Sequence, residues 1–333
     1  MTTIRKAVYV VEGVRIVIPD DFPVAITGTP AFDRLKAVGA VAAYNSKASS
    51  QQELLERLKE AHTVVNIRAY TKFTSQVLES LKCTLRHIAI WGVGTDHIDL
   101  DAAKRLGITV SSTPDTASES VAEHCLALML ALARRIVEND SAIRQGGWRG
   151  PMLVECRGKT LGVIGTGYIG TAFARLGMGT GMKVIAWDPF GPDQQKAERE
   201  GFKYVDALDE LLAESDVVAI HVRSGDLTRG MIGASQFARM KDGAIFLNTA
   251  RGDLVDEKAL VEALRSGKLL GAGLDAFVQE PLPKDSPLLE LSNVVLSPHT
   301  AGITAEAVSS GLMRCVDNVA DFLATGSVKH RVV

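Results

Sequence analysis

From Thr160 onward the hydrophobic positions fall into short β-rich runs separated by helical stretches, the alternation that builds a parallel sheet covered by helices. The pattern predicts strands at 161–165, 183–187, 217–221, 244–248, 271–275 and 294–297, and helices at Ile169–Gly177, Ala207–Ala213 and Asp256–Ser266. Six strands at this spacing predict a doubly wound sheet. The first hundred residues alternate less regularly, with strand candidates at 6–11, 24–27, 63–67, 87–90 and 108–110, and predict a second, smaller α/β domain. Residues 305–324 read as one more helix beyond the last strand. If that tail returns to the first domain, a domain at 113–299 is inserted into one made of 1–112 plus 300–333. A further segment, Ser118–Arg135, is apolar on nearly every face and predicts a helix covered all round, between domains or between subunits, the plainer alternative being a core helix of a large domain.

Composition narrows the class. With 333 residues, 46% of them hydrophobic, the chain can fill more than one core. Lys and Arg (37) nearly balance Asp and Glu (39) without long single-sign blocks, so nucleic acid and membrane surfaces are not the expected partners. The longest apolar stretch, Cys125–Ala133, is far short of the roughly 20 residues a membrane-spanning helix needs. The valine run before Pro19 is broken by Glu12 and Arg15 and does not read as a secretion signal. Cysteines at 83, 125, 156 and 315 show neither paired nor zinc-like spacing, which predicts reduced thiols, no metal site and a cytoplasmic location.

Gly165-Thr166-Gly167-Tyr168-Ile169-Gly170 lies between a predicted strand and a predicted helix. Glycine is common here (30 residues), so the motif alone is weak, but this context lets backbone N–H groups and a helix N-terminus cradle a pyrophosphate. Asp188 ends the next strand, 18 residues after Gly170, where an acid hydrogen-bonds the adenosine ribose of a dinucleotide. A carboxylate there repels a 2′-phosphate, so NAD is expected over NADP, with the nearby Arg223 able to soften that preference. The larger domain is therefore expected to be an NAD-binding, Rossmann-like one.

Ligands of open α/β sheets bind outside the carboxyl ends of the strands. Three polar residues stand just past successive predicted strands: Arg251, Glu280 and His299. Taken singly they could be an ion-pair partner, a surface acid and a loop histidine. Taken together, beyond a dinucleotide loop, they suit hydride transfer at a 2-keto or 2-hydroxy acid. Histidine suits the proton that must reach the carbonyl oxygen. A carboxylate on the imidazole fixes its tautomer and favours its protonated form, the role expected of Glu280. The planar fork of Arg251 suits a substrate carboxylate and the alkoxide that develops beside it.

The chain resembles the D-isomer-specific 2-hydroxyacid dehydrogenases through Gly92-Val93-Gly94-Thr95-Asp96-His97-Ile98-Asp99, the glycine loop, Asn248-Thr249-Ala250-Arg251-Gly252, Asp275-Ala276-Phe277-Val278-Gln279-Glu280-Pro281 and Ser297-Pro298-His299-Thr300-Ala301-Gly302. The resemblance implies that Arg251, Glu280 and His299 are catalytic and that Asp275 holds the nicotinamide carboxamide. It implies that Tyr168 and Ile169 contact the pyrophosphate, that Thr249, Ala250 and Arg251 line the cofactor, and that Val222 belongs to the cofactor site. Arg68 and the amides of Val93 and Gly94, with Arg251 and His299, become the substrate-binding set, and dimers are implied through the nucleotide domains. The family's phosphoglycerate dehydrogenases typically carry a second arginine at the position of Tyr70, which weighs against a phosphorylated substrate, although Lys72 is near. His221-Val222-Arg223 replaces the usual His-x-Pro, so adenine packing is expected to differ. The absence of a further domain after residue 333 speaks against the longer, serine-regulated architecture. The competing expectation from another class is an NAD-binding interaction protein of the co-repressor type, which keeps the same triad.

Overall fold

The computed structural model describes residues 13–333 except Arg68 and Arg149. The chain divides into two compact units: unit 1 comprises residues up to Ala117 together with Thr304–Val333, and unit 2 comprises Ser118–Ile303.

Unit 1 carries a five-stranded sheet, all neighbours parallel, of β1 (Arg15–Ile18), β2 (Ala40–Ala43), β3 (Thr63–Asn66), β4 (His87–Ile90) and β5 (Thr109–Ser111), in the order β2-β1-β3-β4-β5. Side chains alternate across the sheet. Val17, Val64 and Ile88 face α2 (Gln51–Leu58), α3 (Ser75–Leu81) and α4 (Leu100–Arg105). Ile16, Ile18, Val65 and Ala89 face α1 (Pro30–Lys36) and α12 (Ala305–Thr325), which contributes Leu312, Cys315, Val316 and Val319. Both chain ends thus build one core, because a parallel sheet is stable only when both faces are covered.

One expected strand falls differently. The expected strand at 24–27 is a loop, because Asp21 takes its backbone donors: Oδ1 accepts from the N–H groups of Ala25 (2.6 Å) and Ile26 (3.1 Å), and Oδ2 from that of Thr27 (2.9 Å). Amides bonded to a side chain cannot join a ladder. The expected strand at 6–11 lies outside the described residues. β1 and β2 occupy stretches not expected to be strands, the first opening on Arg15 and the second nearly all alanine, a weak strand former.

Unit 2 carries seven parallel strands: β6 (Thr160–Ile164), β7 (Lys183–Trp187), β8 (Lys203–Tyr204), β9 (Val217–Ile220), β10 (Ala244–Asn248), β11 (Leu269–Leu274) and β12 (Val294–Leu296), in the order β12-β11-β10-β9-β6-β7-β8. Only the two-residue β8 escaped expectation. α5 (Ser118–Ala133) and α7 (Tyr168–Gly179) cover one face over Leu161, Val163, Ala219 and Leu247. α9 (Leu208–Glu214), α10 (Ala234–Arg239) and α11 (Glu257–Arg265) cover the other over Val218, Ile220 and Phe246. Each fully buried Leu, Ile or Phe in these layers contributes about 1.5–3 kcal/mol. α5 is not buried all round: Ala122, Cys125, Leu128, Met129 and Leu132 enter the core of unit 2, whereas Glu119, Glu123, Ala127 and Leu130 are exposed, so within this unit it is a core helix with one free side. The sheet winds outward in both directions from the β6/β9 boundary, so the crevice beyond the carboxyl ends of those two strands is the topological switch point.

Candidate active site

The glycine loop leaves β6 at that switch point. Gly165 has φ +89°, and a Cβ there would press on Val222 and the His221 backbone; a Cβ at Gly170 would collide with the Gly165 carbonyl. Gly167 faces open space and begins α7 with no side-chain cap, and no acid stands in the first turn. The helix therefore offers its first N–H groups, at Tyr168, Ile169 and Gly170, to an anion. These are the features a dinucleotide pyrophosphate requires. Val222 is buried directly beneath Gly165, where it shapes the loop from below.

Asp188 follows β7. Its Oδ2 accepts from the Thr166 N–H (2.7 Å) and hydroxyl (2.8 Å), and its Oδ1 from the Phe190 N–H (3.0 Å). The expected ribose acid is thus also a brace for the glycine loop. Lys196 adds a donor to the Thr166 carbonyl (2.5 Å), and the Tyr204 hydroxyl lies 2.6 Å from that of Thr166. Arg223 lies over the Phe190 ring, 5.8 Å from its centroid, and the Phe190 N–H is the one that donates to Asp188.

Arg251, Glu280 and His299 follow three adjacent strands. After β10, Asn248 folds the next turn: its amide donates to the Arg251 carbonyl (2.8 Å) and its Oδ1 accepts from the Ala250 N–H (3.0 Å). Gly252 lets this turn lie against the Phe277–Val278 backbone, where a Cβ would overlap it. Arg251 donates to the Ala250 carbonyl (2.7 Å), and its charge reaches Glu280. Thr249 is buried with its hydroxyl 3.0 Å from the Cys125 sulfur. Burial pushes that thiol up to about 12, despite the Thr249 hydrogen bond, so it is an inert core group.

After β11 comes Asp275, fully buried, and then Glu280, whose Oε1 accepts from the Phe277 N–H (3.0 Å). After β12, His299 sits at φ +54°, a left-handed conformation that costs a residue with a side chain on the order of 1–3 kcal/mol. Its Nδ1 lies 2.8 Å from Glu280 Oε2 and 3.0 Å from Oε1. Burial pushes the Glu280 carboxyl up, but the His299 hydrogen bond, the Phe277 N–H and the charges of His299 and Arg251 outweigh it, leaving its pKa below the ordinary value. The carboxylate therefore stays charged and holds Nδ1–H, which leaves Nε2 for a reacting oxygen.

In unit 1, Gly92 at φ +119° is pinned between its own N–H to Thr113 Oγ1 (2.7 Å) and the Thr113 N–H to its carbonyl (2.9 Å). Val93 is exposed at 48% beside Gly94. Arg68 lies outside the described residues. Tyr70 donates its hydroxyl to the Phe22 carbonyl, and the Lys47 ammonium sits over its ring, 4.1 Å from the centroid.

Geometry adds residues that sequence reasoning quoted without a role or passed over: Thr166, Asn248, Ser297 and His124. An asparagine at a strand end before a turn is a usable local signal. His124 had none, since its partner Ser297 is 173 residues away.

The model of the D-isomer specific 2-hydroxyacid dehydrogenase NAD-binding domain matches residues 126–301. The chain belongs to that family. It is 40% identical over 279 residues to a glyoxylate reductase of Korarchaeum cryptofilum, covering 82% of this chain and 83% of the relative. It is 44% identical over 260 residues to a D-3-phosphoglycerate dehydrogenase of Archaeoglobus fulgidus, covering 78% of this chain but 49% of the relative, so the chain spans about half the length of that protein. The crystal structure of a glyoxylate reductase from Paecilomyes thermophila superposes with a TM-score of 0.87 at 30% identity, over 97% of this chain and 99% of the other. The cofactor class follows from the family: unit 2 contains its NAD-binding domain.

Proposed function

We propose that this protein interconverts a small D-2-hydroxy acid and its 2-keto acid with NAD, and that Arg251, Glu280 and His299 carry the chemistry. The observation that carries the reading is the Glu280–His299 pair, at 2.8 and 3.0 Å, on a histidine held in a left-handed conformation beyond the carboxyl end of β12. NAD supplies or accepts the hydride. In reduction, His299 Nε2 gives its proton to the carbonyl oxygen, and Glu280 stabilises the imidazolium before and neutral imidazole orientation after transfer. Arg251 binds the substrate carboxylate and stabilises charge on the developing alkoxide. Gly165, Gly167, Tyr168, Ile169 and Gly170 bind the pyrophosphate, Asp188 the ribose, and Val222, Thr249, Ala250 and Asp275 the remainder of the cofactor site. The Val93 and Gly94 amides, with Arg68, complete the substrate set. NAD is preferred over NADP because Asp188 carries a charge where a 2′-phosphate would lie.

The relatives' names direct the substrate search to glyoxylate-like and phosphorylated keto acids. Tyr70 favours the unphosphorylated class, since it replaces a guanidinium with a hydroxyl that donates to the Phe22 carbonyl.

The unit is proposed to pair with a second copy. α6 (Ile136–Arg144) buries no residue, and Ile136, Val137, Ile143, Trp148 and Met152 are exposed at 57, 55, 51, 89 and 92%. Apolar surface of that extent next to the free side of α5 calls for a partner. Among the described residues no helix is long and apolar enough to cross a membrane, and the four cysteines are unpaired, which supports a cytoplasmic setting.

The test is turnover: purified protein with NADH and glyoxylate, hydroxypyruvate, pyruvate, 2-oxoisocaproate or 3-phosphohydroxypyruvate. NADH consumption with an unphosphorylated member is expected. NADH binding without consumption of any would favour the interaction-protein reading.

A further inference from the structure

Resting on His299 as the acid–base group, we infer that Ser297 and His124 are positioning residues, which hold the catalytic turn in place through Asp275. Asp275 is fully buried, and a buried carboxylate is tolerated only when donors surround it. It has three: Ser297 donates its hydroxyl to Oδ1 (2.6 Å), and the N–H groups of Thr300 and Ala301 donate to Oδ1 and Oδ2 (2.9 Å each). Two of these three are the amides immediately after His299. The His299 N–H itself donates to the Ser297 carbonyl (3.0 Å).

The turn 297–301 is therefore fixed at both sides of its left-handed residue. That explains how a histidine persists at φ +54°, a conformation it would leave if the amides after it were released. Placement of the imidazole follows, because the Cα–Cβ direction of a left-handed residue differs from that of its relaxed alternatives.

Ser297 has one proton and gives it to Asp275. Its oxygen can then only accept from His124, whose Nε2 lies 2.8 Å away, so His124 carries its proton on Nε2. The chain of donors runs from His124 Nε2 to Ser297 Oγ to Asp275 Oδ1, and ties α5 to the ends of β11 and β12. His124 also stands 3.8 Å from Asp275 Oδ1, so its loss would leave Ser297 free to rotate away from the carboxylate. Neither residue touches the reacting atoms. Their work is to keep Asp275 aimed at the two amides, and hence His299 aimed at the substrate oxygen.

The experiment compares Ser297→Thr with Ser297→Val, in which a methyl replaces the hydroxyl, and His124→Gln with His124→Leu. For each, kcat, KM, the NADH Kd and hydrogen–deuterium exchange of residues 298–303 are measured. Ser297→Val should lower kcat about 10- to 100-fold, with KM within about twofold of wild type, and should speed exchange at Thr300 and Ala301. Ser297→Thr should restore most of kcat. His124→Leu should cost about three- to tenfold in kcat, with His124→Gln in between. Equal kcat and equal exchange in the Thr and Val variants would overturn the inference. If the wild-type protein reduces no keto acid, the proposed function fails, while the exchange comparison still decides the clamp.

Discussion

The carboxyl ends of the two parallel sheets are built differently. In unit 2 the groups after the strands are bonded to one another before any ligand arrives: Asp188 to Thr166, Asn248 to the Arg251 turn, Asp275 to the His299 turn, Glu280 to His299. In unit 1 the corresponding edge is bonded as well, Asn66 to His97, Gly92 to Thr113 and Asp21 to the loop after it, but it also presents side chains to solvent, with Val93 and Tyr70 exposed and Lys47 resting on the Tyr70 ring. Hydride transfer requires donors and charges fixed to within a fraction of an ångström, and preorganisation supplies it. Choice of substrate tail requires contact surface, which can change residue by residue without disturbing that geometry. On the proposed function unit 2 carries the chemistry and unit 1 bears on specificity, and variants in each should separate the corresponding measurements.

The largest effect on cofactor binding is expected at Asp188. Asp188→Ala should weaken NADH binding by about 10- to 100-fold and narrow the gap to NADPH, since it removes both the ribose acceptor and the brace on Thr166. Unchanged selectivity in direct binding would mean another group reads the ribose. In unit 1, Tyr70→Arg should shift the ratio of kcat/KM for 3-phosphohydroxypyruvate over hydroxypyruvate by about tenfold, roughly 1.4 kcal/mol, with the NADH Kd unmoved. A change in the NADH Kd as large as the change in that ratio would break the division between the two sheets.

The smallest effect concerns stability. Burial holds His87 of unit 1 down to about 3 and His221 of unit 2 down to about 4, against 6.5 ordinarily. His87 has one ring nitrogen 2.8 Å from Ser111 Oγ and the other without a partner. Both histidines stay neutral in the folded chain and take up protons on unfolding, so stability is full above about pH 6.5 and is lost as pH falls toward the folded values. Between pH 7.5 and 5.5, His87→Gln should lose about 1 kcal/mol less than wild type in urea unfolding. An identical loss would show that His87 takes up its proton in the folded chain as readily as in the unfolded one.

Legibility in the sequence followed the same division. β6, β9, β10 and β11 were readable because strands buried on both faces are near-continuous apolar runs, and β7 and β12 because they are apolar though only partly buried. β1 and β2 were not, since Arg15 and the alanines of β2 resemble loop and helix, while the apolar 24–27 was unravelled by a side chain, Asp21, that no periodicity reveals. At the site, Gly165–Gly170, Asp188, Arg251, Glu280 and His299 stand in local motifs. What holds them does not: His124 reaches Ser297 across 173 residues, and the Tyr70 hydroxyl meets a carbonyl 48 residues away.

Unit 2 is proposed to bind NAD mainly through Gly165–Gly170 and Asp188 and to do its chemistry through Arg251, Glu280 and His299. Paired measurement of the NADH Kd and of kcat/KM in His299→Ala and Arg251→Ala tests this division. kcat/KM is expected to fall by about three or more orders of magnitude in each while the NADH Kd stays within about threefold of wild type. Wild-type turnover in either variant would contradict it.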